Sequence, residues 1–200
     1  MTAERLVLFT DAVAAIALTL LILPLMESVS ESSGDDRLGT FIHEHIGQFG
    51  AFALSFAVIF RFWWAHHKLF RHIVLLRLWI LRWSVVWTFA IVLLPIPTAL
   101  IATYPPSATS VALYGGTLCL ASGSLTMLAV YAHRHPEIGG DREPLTRENL
   151  LSFVIAFFAE LVATVVGSVW ADTINFWAFF LMFLAGPVQG VVKARWRREG

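Results

Sequence analysis

Six stretches of about twenty mostly apolar residues follow one another along the chain, each closed by a short polar or charged segment. They run near Leu6 to Met26, Gly47 to His66, Trp83 to Tyr104, Ser110 to Ala132, Leu150 to Trp170 and Ile174 to Val192. A helix rising 1.5 Å per residue needs roughly 20 apolar residues to cross a hydrocarbon core of about 30 Å, so each stretch predicts one membrane-spanning helix. The fold expected is all-α, a single six-span domain over residues 1–200. None of the intervening segments is long enough for a second, soluble domain. The first stretch is read as retained, because its apolar run is long, carries Asp11 within it and is followed by acidic residues with no small-residue cleavage pattern.

The placement of Lys and Arg gives the direction of the spans. All but one of the 14 basic residues fall before the first span, around the link between the second and third, in the loop after the fourth, or at the end of the chain. The exception is Arg37. Basic residues are held on the cytoplasmic side, which puts both termini there and requires an even number of spans. Arg61, near the end of the second span, is expected to snorkel to that interface, and the tail from Lys193 to Arg198 to anchor on anionic lipid. Composition agrees, with 58% hydrophobic and 14% charged residues. A soluble domain carries about a quarter charged residues, so most of this surface must face lipid or protein. A net charge of zero gives no footprint for nucleic acid, and the lone Cys119 cannot form an intrachain disulfide.

The first span holds the most informative pattern. Asp11 lies about 9 Å along the helix from Arg5, inside the membrane, where an ionised carboxylate costs a few kcal/mol and so marks a functional or structural network. His66, His67, Trp63 and Trp64 end the second span at similar depth and can serve as its partners. At 100° per residue, Leu20 and Leu23 lie within about 40° of Ile16, with Thr19 about 60° to the other side, whereas Asp11 is about 140° away. One face is apolar with a single hydroxyl; the other is polar. Such a stripe serves lipid contact or helix packing, or else lines a hydrophobic constriction that controls flow by dewetting.

The run Arg5-x-x-x-Phe9-Thr10-Asp11, with Thr10 where the usual signature has serine, resembles that of the transmembrane protein 175 family, the lysosomal potassium channels and their prokaryotic relatives. Phe62-Trp63-Trp64-Ala65-His66-His67 is similar to the family's Trp/His pattern on the second span. The resemblance implies a homotetramer of six-span subunits in the cell membrane, around a K+-permeable pore lined by the first spans. It also implies that Ile16 forms the main constriction, that Leu20 and Leu23 add apolar layers, and that Thr19 faces the pore as a selectivity group. Arg5, Phe9, Thr10 and Asp11 would then belong to a structural network with Trp63, Trp64, His66 and His67. No Thr-Val-Gly-Tyr-Gly loop is present to replace the ion's water shell with carbonyls, so modest selectivity for K+ is expected. Glu27, Glu31, Asp35, Asp36 and Glu44, against Arg37 alone, form a candidate cation-attracting collar at the outer mouth.

Other chemistry finds less support. Adjacent helical histidines point about 100° apart and do not readily share a metal, and no zinc spacing accompanies them, so neither metal nor cofactor is expected, K+ being the permeant ion. No nucleophile elbow, His-Glu-x-x-His helix or phosphate loop occurs, and an enzyme is not expected. Glu160, in the middle of the fifth span, calls for a pairing partner. A proton-coupled transporter using Asp11 and Glu160, or a non-conducting scaffold, stand as alternatives.

Overall fold

The computed structural model describes residues 2–32, 38–105 and 107–170. Within them the chain forms helices α1 (Ala3–Leu20), α2 (Leu23–Glu31), α3 (Leu38–Glu44), α4 (Ile46–Phe70), α5 (Leu78–Leu93), α6 (Pro95–Thr103), α7 (Ala108–Arg134) and α8 (Arg147–Val169), with a 3₁₀ turn at Pro136–Gly139. Taken with their continuations, five helical stretches among the described residues are long and apolar enough to cross a membrane: Ala3–Glu31, Ile46–Phe70, Leu78–Thr103, Ala108–Arg134 and Arg147–Val169. The chain is a multi-pass membrane protein. The sixth expected span, the basic tail, and Asp35, Asp36 and Arg37 of the collar lie outside the described residues.

Helices run further than the apolar stretches that announced them. A helix satisfies its backbone hydrogen bonds locally, so it continues into the interface after the hydrophobic residues stop. The second span therefore extends to Phe70 and carries Lys68, while the third begins at Leu78 and carries Arg82. The acidic segment after the first span is largely helical too. Glu27 and Glu31 belong to α2, and Glu44 ends α3.

Two prolines divide spans in two. Pro24 stands in the first turn of α2 and Pro95 opens α6, each just beyond the end of the preceding helix. Proline has no N–H to give the carbonyl four residues back, and its ring crowds that carbonyl. The chain answers with tighter bonds, Ile22 N to Thr19 O at 3.3 Å and Leu94 N to Ile91 O at 3.3 Å.

Helix α7 is the centre of the bundle. Within the molecule it buries 61% of its apolar stretch, against 17% for α8, and it packs on both α8 and α5. Tyr114, Leu118 and Leu128 on α7 are wholly buried, as are Trp87 of α5 and Ile59 of α4. The close α7–α8 approach depends on Gly115, where an added Cβ would collide with the Thr164 side chain. The neighbouring Gly116 faces open space. In an apolar medium helices gain little by hydrophobicity and associate through close packing and polar contacts. One such contact is a buried hydroxyl cluster. Thr98 Oγ1 lies 2.8 Å from Ser55 Oγ, and Ser55 Oγ lies 3.2 Å from the Tyr114 hydroxyl, tying α4, α6 and α7 together.

The end of the bundle that carries the α1 N-terminus is fastened by its loops. Arg142 Nη1 donates to the carbonyls of Phe70, Arg71 and Ile73 at 3.1 to 3.3 Å, satisfying and neutralising the exposed C-terminus of α4. Val74 N and Leu75 N both donate to Ile138 O, and His72 Nδ1 lies 2.7 Å from Glu143 O. Arg142 marks the basic side of the membrane and also holds the α4–α5 turn in place.

Candidate ion pathway and its anchor

Thr2 caps α1, its hydroxyl accepting from Arg5 N at 3.4 Å, and the helix then presents two different faces. Leu6, Thr10, Ala14, Ala17 and Leu21 recur every three or four residues and are buried against α4 and α5. The small side chains of Ala14 and Ala17 let the backbones come close. On the other side, Ile16 is 59% exposed, Leu23 50% and Leu20 41%, with Thr19 exposed beside them. The other described residues of the protomer leave this stripe open.

Thr19 donates its hydroxyl proton to Ile16 O at 2.7 Å. A hydroxyl has one proton to give, so what Thr19 offers to the exposed side is an acceptor oxygen. Such an oxygen suits a cation. Leu20, Leu23 and Met26 continue the same outward surface across the Pro24 break, and Met26 is 54% exposed.

Asp11 lies half-buried on the opposite side and accepts a hydrogen bond from Trp63 Nε1 at 2.8 Å. This bond joins α1 to α4 within the membrane. Thr10 is fully buried, but its hydroxyl donates to Val7 O at 2.9 Å and not to Asp11. The side chains of Arg5 and Phe9 are exposed, Phe9 by 53%. Neither histidine bonds to Asp11 or Thr10. His66 is buried face to face with Phe70 and Trp87, with ring centroids 4.4 and 4.2 Å away, and neither of its nitrogens has a hydrogen-bond partner among the described residues. His67 packs against the rings of Trp63 and Trp64 at 5.8 and 6.2 Å. The reason is rotational, since Trp63 and His67 are four residues apart and share the α1-facing side of α4, while His66 is turned about 100° toward α5. Trp64 is turned away from α1 and lies beneath Lys68 and Arg71.

Replacing Trp63 with phenylalanine keeps most of the ring but removes the donor. The expected cost is about 1.5–3 kcal/mol, the range for a hydrogen bond to a charged group. Asp11→Asn, which retains an acceptor oxygen, should cost less than Asp11→Leu. Thermal unfolding of the purified variants in one detergent checks the order.

A second polar pair, on a different side of α4, modifies the reading of Arg61. Its Nη1 lies 2.8 Å from Glu160 Oε1 of α8, with the arginine side chain 27% exposed and the glutamate fully enclosed. Arg61 therefore turns into the bundle as the counter-ion of Glu160 and does not simply snorkel. Glu160 stood out in the sequence as costly within a span and Arg61 as an interfacial residue; their pairing across α4 and α8 is seen only in three dimensions. Among the described residues no group of three or more His, Cys, Asp or Glu side chains is placed to hold a metal.

Residues 5–95 match the family model described as the endosomal/lysosomal potassium channel TMEM175. By sequence, this stretch is similar to the TMEM175 family. The TMEM175 match takes in the whole exposed stripe of α1 and both partners of the Asp11–Trp63 bond. In three dimensions the chain is similar to the crystal structure of a lysosomal potassium-selective channel TMEM175 homolog from Chamaesiphon minutus. The two share 22% sequence identity and superpose with a TM-score of 0.61, over 94% of this chain and 97% of that one. At that identity the TMEM175 likeness is one of fold. No curated protein matches the chain in sequence.

Proposed function

We propose that the chain is a K+-permeable channel in which copies of α1 and α2 surround a shared axis. The observation that carries this reading is the exposure of Ile16, Thr19, Leu20 and Leu23 on the face of α1 opposite the Asp11–Trp63 anchor, within the residues that match the family. A single α1 encloses nothing, whereas copies under cyclic symmetry can, and a homotetramer places four Ile16 side chains in one ring. Ile16 is then the narrowest apolar layer, Leu20 and Leu23 extend it outward, and the Thr19 oxygens form the polar ring between them. With no carbonyl-lined loop, discrimination rests on squeezing a partly hydrated ion, and selectivity for K+ over Na+ is modest. Asp11, through Trp63, and the buried Thr10 hold α1 in position against α4, while Arg5 and Phe9 lie on its exposed surface. The basic end of the bundle faces the cytoplasm, the protein resides in the cell membrane, and no cofactor or enzymatic chemistry is involved.

A transporter relaying protons between Asp11 and Glu160 fits the geometry less well. Asp11 is engaged with Trp63, and Glu160 with Arg61, on different sides of α4.

Reconstitution into liposomes separates the readings. K+ should move down its own gradient with equal pH inside and out, and cross-linking should stop at four copies. Flux that requires a proton gradient would assign the protein to the coupled transporters, and absence of flux from folded protein would make it a scaffold.

A further inference from the structure

Between α4, α7 and α8 lies an open cavity of about 500 Å³ that the pathway on α1 does not use. Its chemistry changes with depth. Arg61, Trp64, Lys68 and Arg71 line it at intervals of three or four residues, so one face of α4 presents a column of positive charge running from the basic end of the bundle into the membrane. Lys68 Nζ and the Arg71 guanidinium lie 5.3 and 5.9 Å from the centre of the Trp64 ring, which holds both cations over an aromatic plane at the rim. The far wall carries an apolar strip, Leu125 of α7 with Phe153 and Ala156 of α8, set among Ser122, Asn149 and Ser152. The deep end is closed by Glu160, whose Oε1 is taken by Arg61.

Three cationic side chains against one carboxylate leave the cavity with an excess of positive charge, which suits an anion. The carboxylate is at the bottom and the uncommitted cations are at the rim, so the anionic group must stay at the rim while something uncharged fills the apolar part. A free phosphate has nothing to place against Leu125 and Phe153. A phospholipid has both parts in the right order, and basic pockets between membrane helices bind such headgroups.

We propose that this cavity is a binding site for one anionic phospholipid of the leaflet at the basic end, with its phosphate between Lys68, Arg71 and the Trp64 edge and an acyl chain along Leu125, Phe153 and Ala156. The site stands independently of the channel reading. It also lies on the same helix as Trp63, one residue from Trp64, so an occupant on one side of α4 and the anchor of α1 on the other share a single rigid element.

Native mass spectrometry of the purified protein in detergent, titrated with a short-chain phosphatidylglycerol or with the matching phosphatidylcholine, tests it. Phosphatidylglycerol should be retained roughly thirty-fold better than phosphatidylcholine, and the double variant Lys68→Gln/Arg71→Gln should remove about that factor, as expected from the loss of two interfacial cations. Both residues are exposed, and unchanged elution and melting confirm that the variant folds. Arg82 and Arg134 are exposed cations of the same end that lie outside the cavity, so Arg82→Gln/Arg134→Gln should bind phosphatidylglycerol like the parent. Equal retention of the two lipids, or an equal loss in both double variants, would overturn the proposal. Displacement of the lipid by excess inorganic phosphate would likewise overturn it, as the mark of a free-phosphate site.

Discussion

Ile16→Asn is expected to raise K+ conductance and to let Na+ pass more nearly as well as K+. In the proposed pathway four isoleucines form a ring that an ion crosses only after shedding part of its water, without a polar group to compensate. An amide in each position supplies donors and acceptors and lets water fill the ring, which lowers that barrier. A reduction of about 1.4 kcal/mol corresponds to roughly a ten-fold faster passage. The same change removes the discrimination that rests on partial dehydration. Recordings in planar bilayers under K+ and bi-ionic K+/Na+ conditions read both effects. Unchanged conductance and selectivity would remove Ile16 from the pathway, and Ala15→Asn, an exposed position about 100° round α1 from Ile16, supplies the comparison.

Arg61→Leu should destabilise the fold by about 3–5 kcal/mol, since it leaves a fully enclosed carboxylate without its counter-ion. Glu160→Leu should cost less. The arginine side chain is 27% exposed and close to the basic end of α4, so it can reorient to the interface when its partner is gone. The double variant Arg61→Leu/Glu160→Leu should recover most of the loss, because a buried ion pair replaced by packed apolar side chains is often neutral. Chemical or thermal unfolding in a single detergent measures all three. An arginine variant no worse than the double variant would mean that Glu160 keeps other support.

Much of this architecture was legible in the sequence because the membrane imposes a simple rule on composition. Five of the six expected spans are present as helices, and the sixth lies outside the described residues. The two faces of α1 were legible as well, since 100° per residue separates Ile16 from Asp11 whatever the helix packs against. What could not be read was which neighbour meets which. Trp63 and His66 were equal candidates for Asp11 by depth, and only the rotation of α4 about its axis, set by the burial of Phe62, His66 and Phe70, turns the indole toward α1. Arg61 looked like an interfacial residue because its partner is 99 positions away. The hydroxyl cluster of Ser55, Thr98 and Tyr114 was hidden for a similar reason, as no spacing along the chain links three different helices.

Separation along the chain also bears on the order of biogenesis. Arg61 emerges from the ribosome well before Glu160, and the α4 carbonyls at Phe70 emerge 72 residues before the Arg142 side chain that clasps them. A nascent chain holding only the first spans has an Arg61 left to snorkel to the interface instead of turning into the bundle, and a turn with no fastening. The amino-terminal half, though it bears the whole α1 stripe, depends on the later helices to mature, and fragments ending near residue 95 should be recognised by quality control as unfinished.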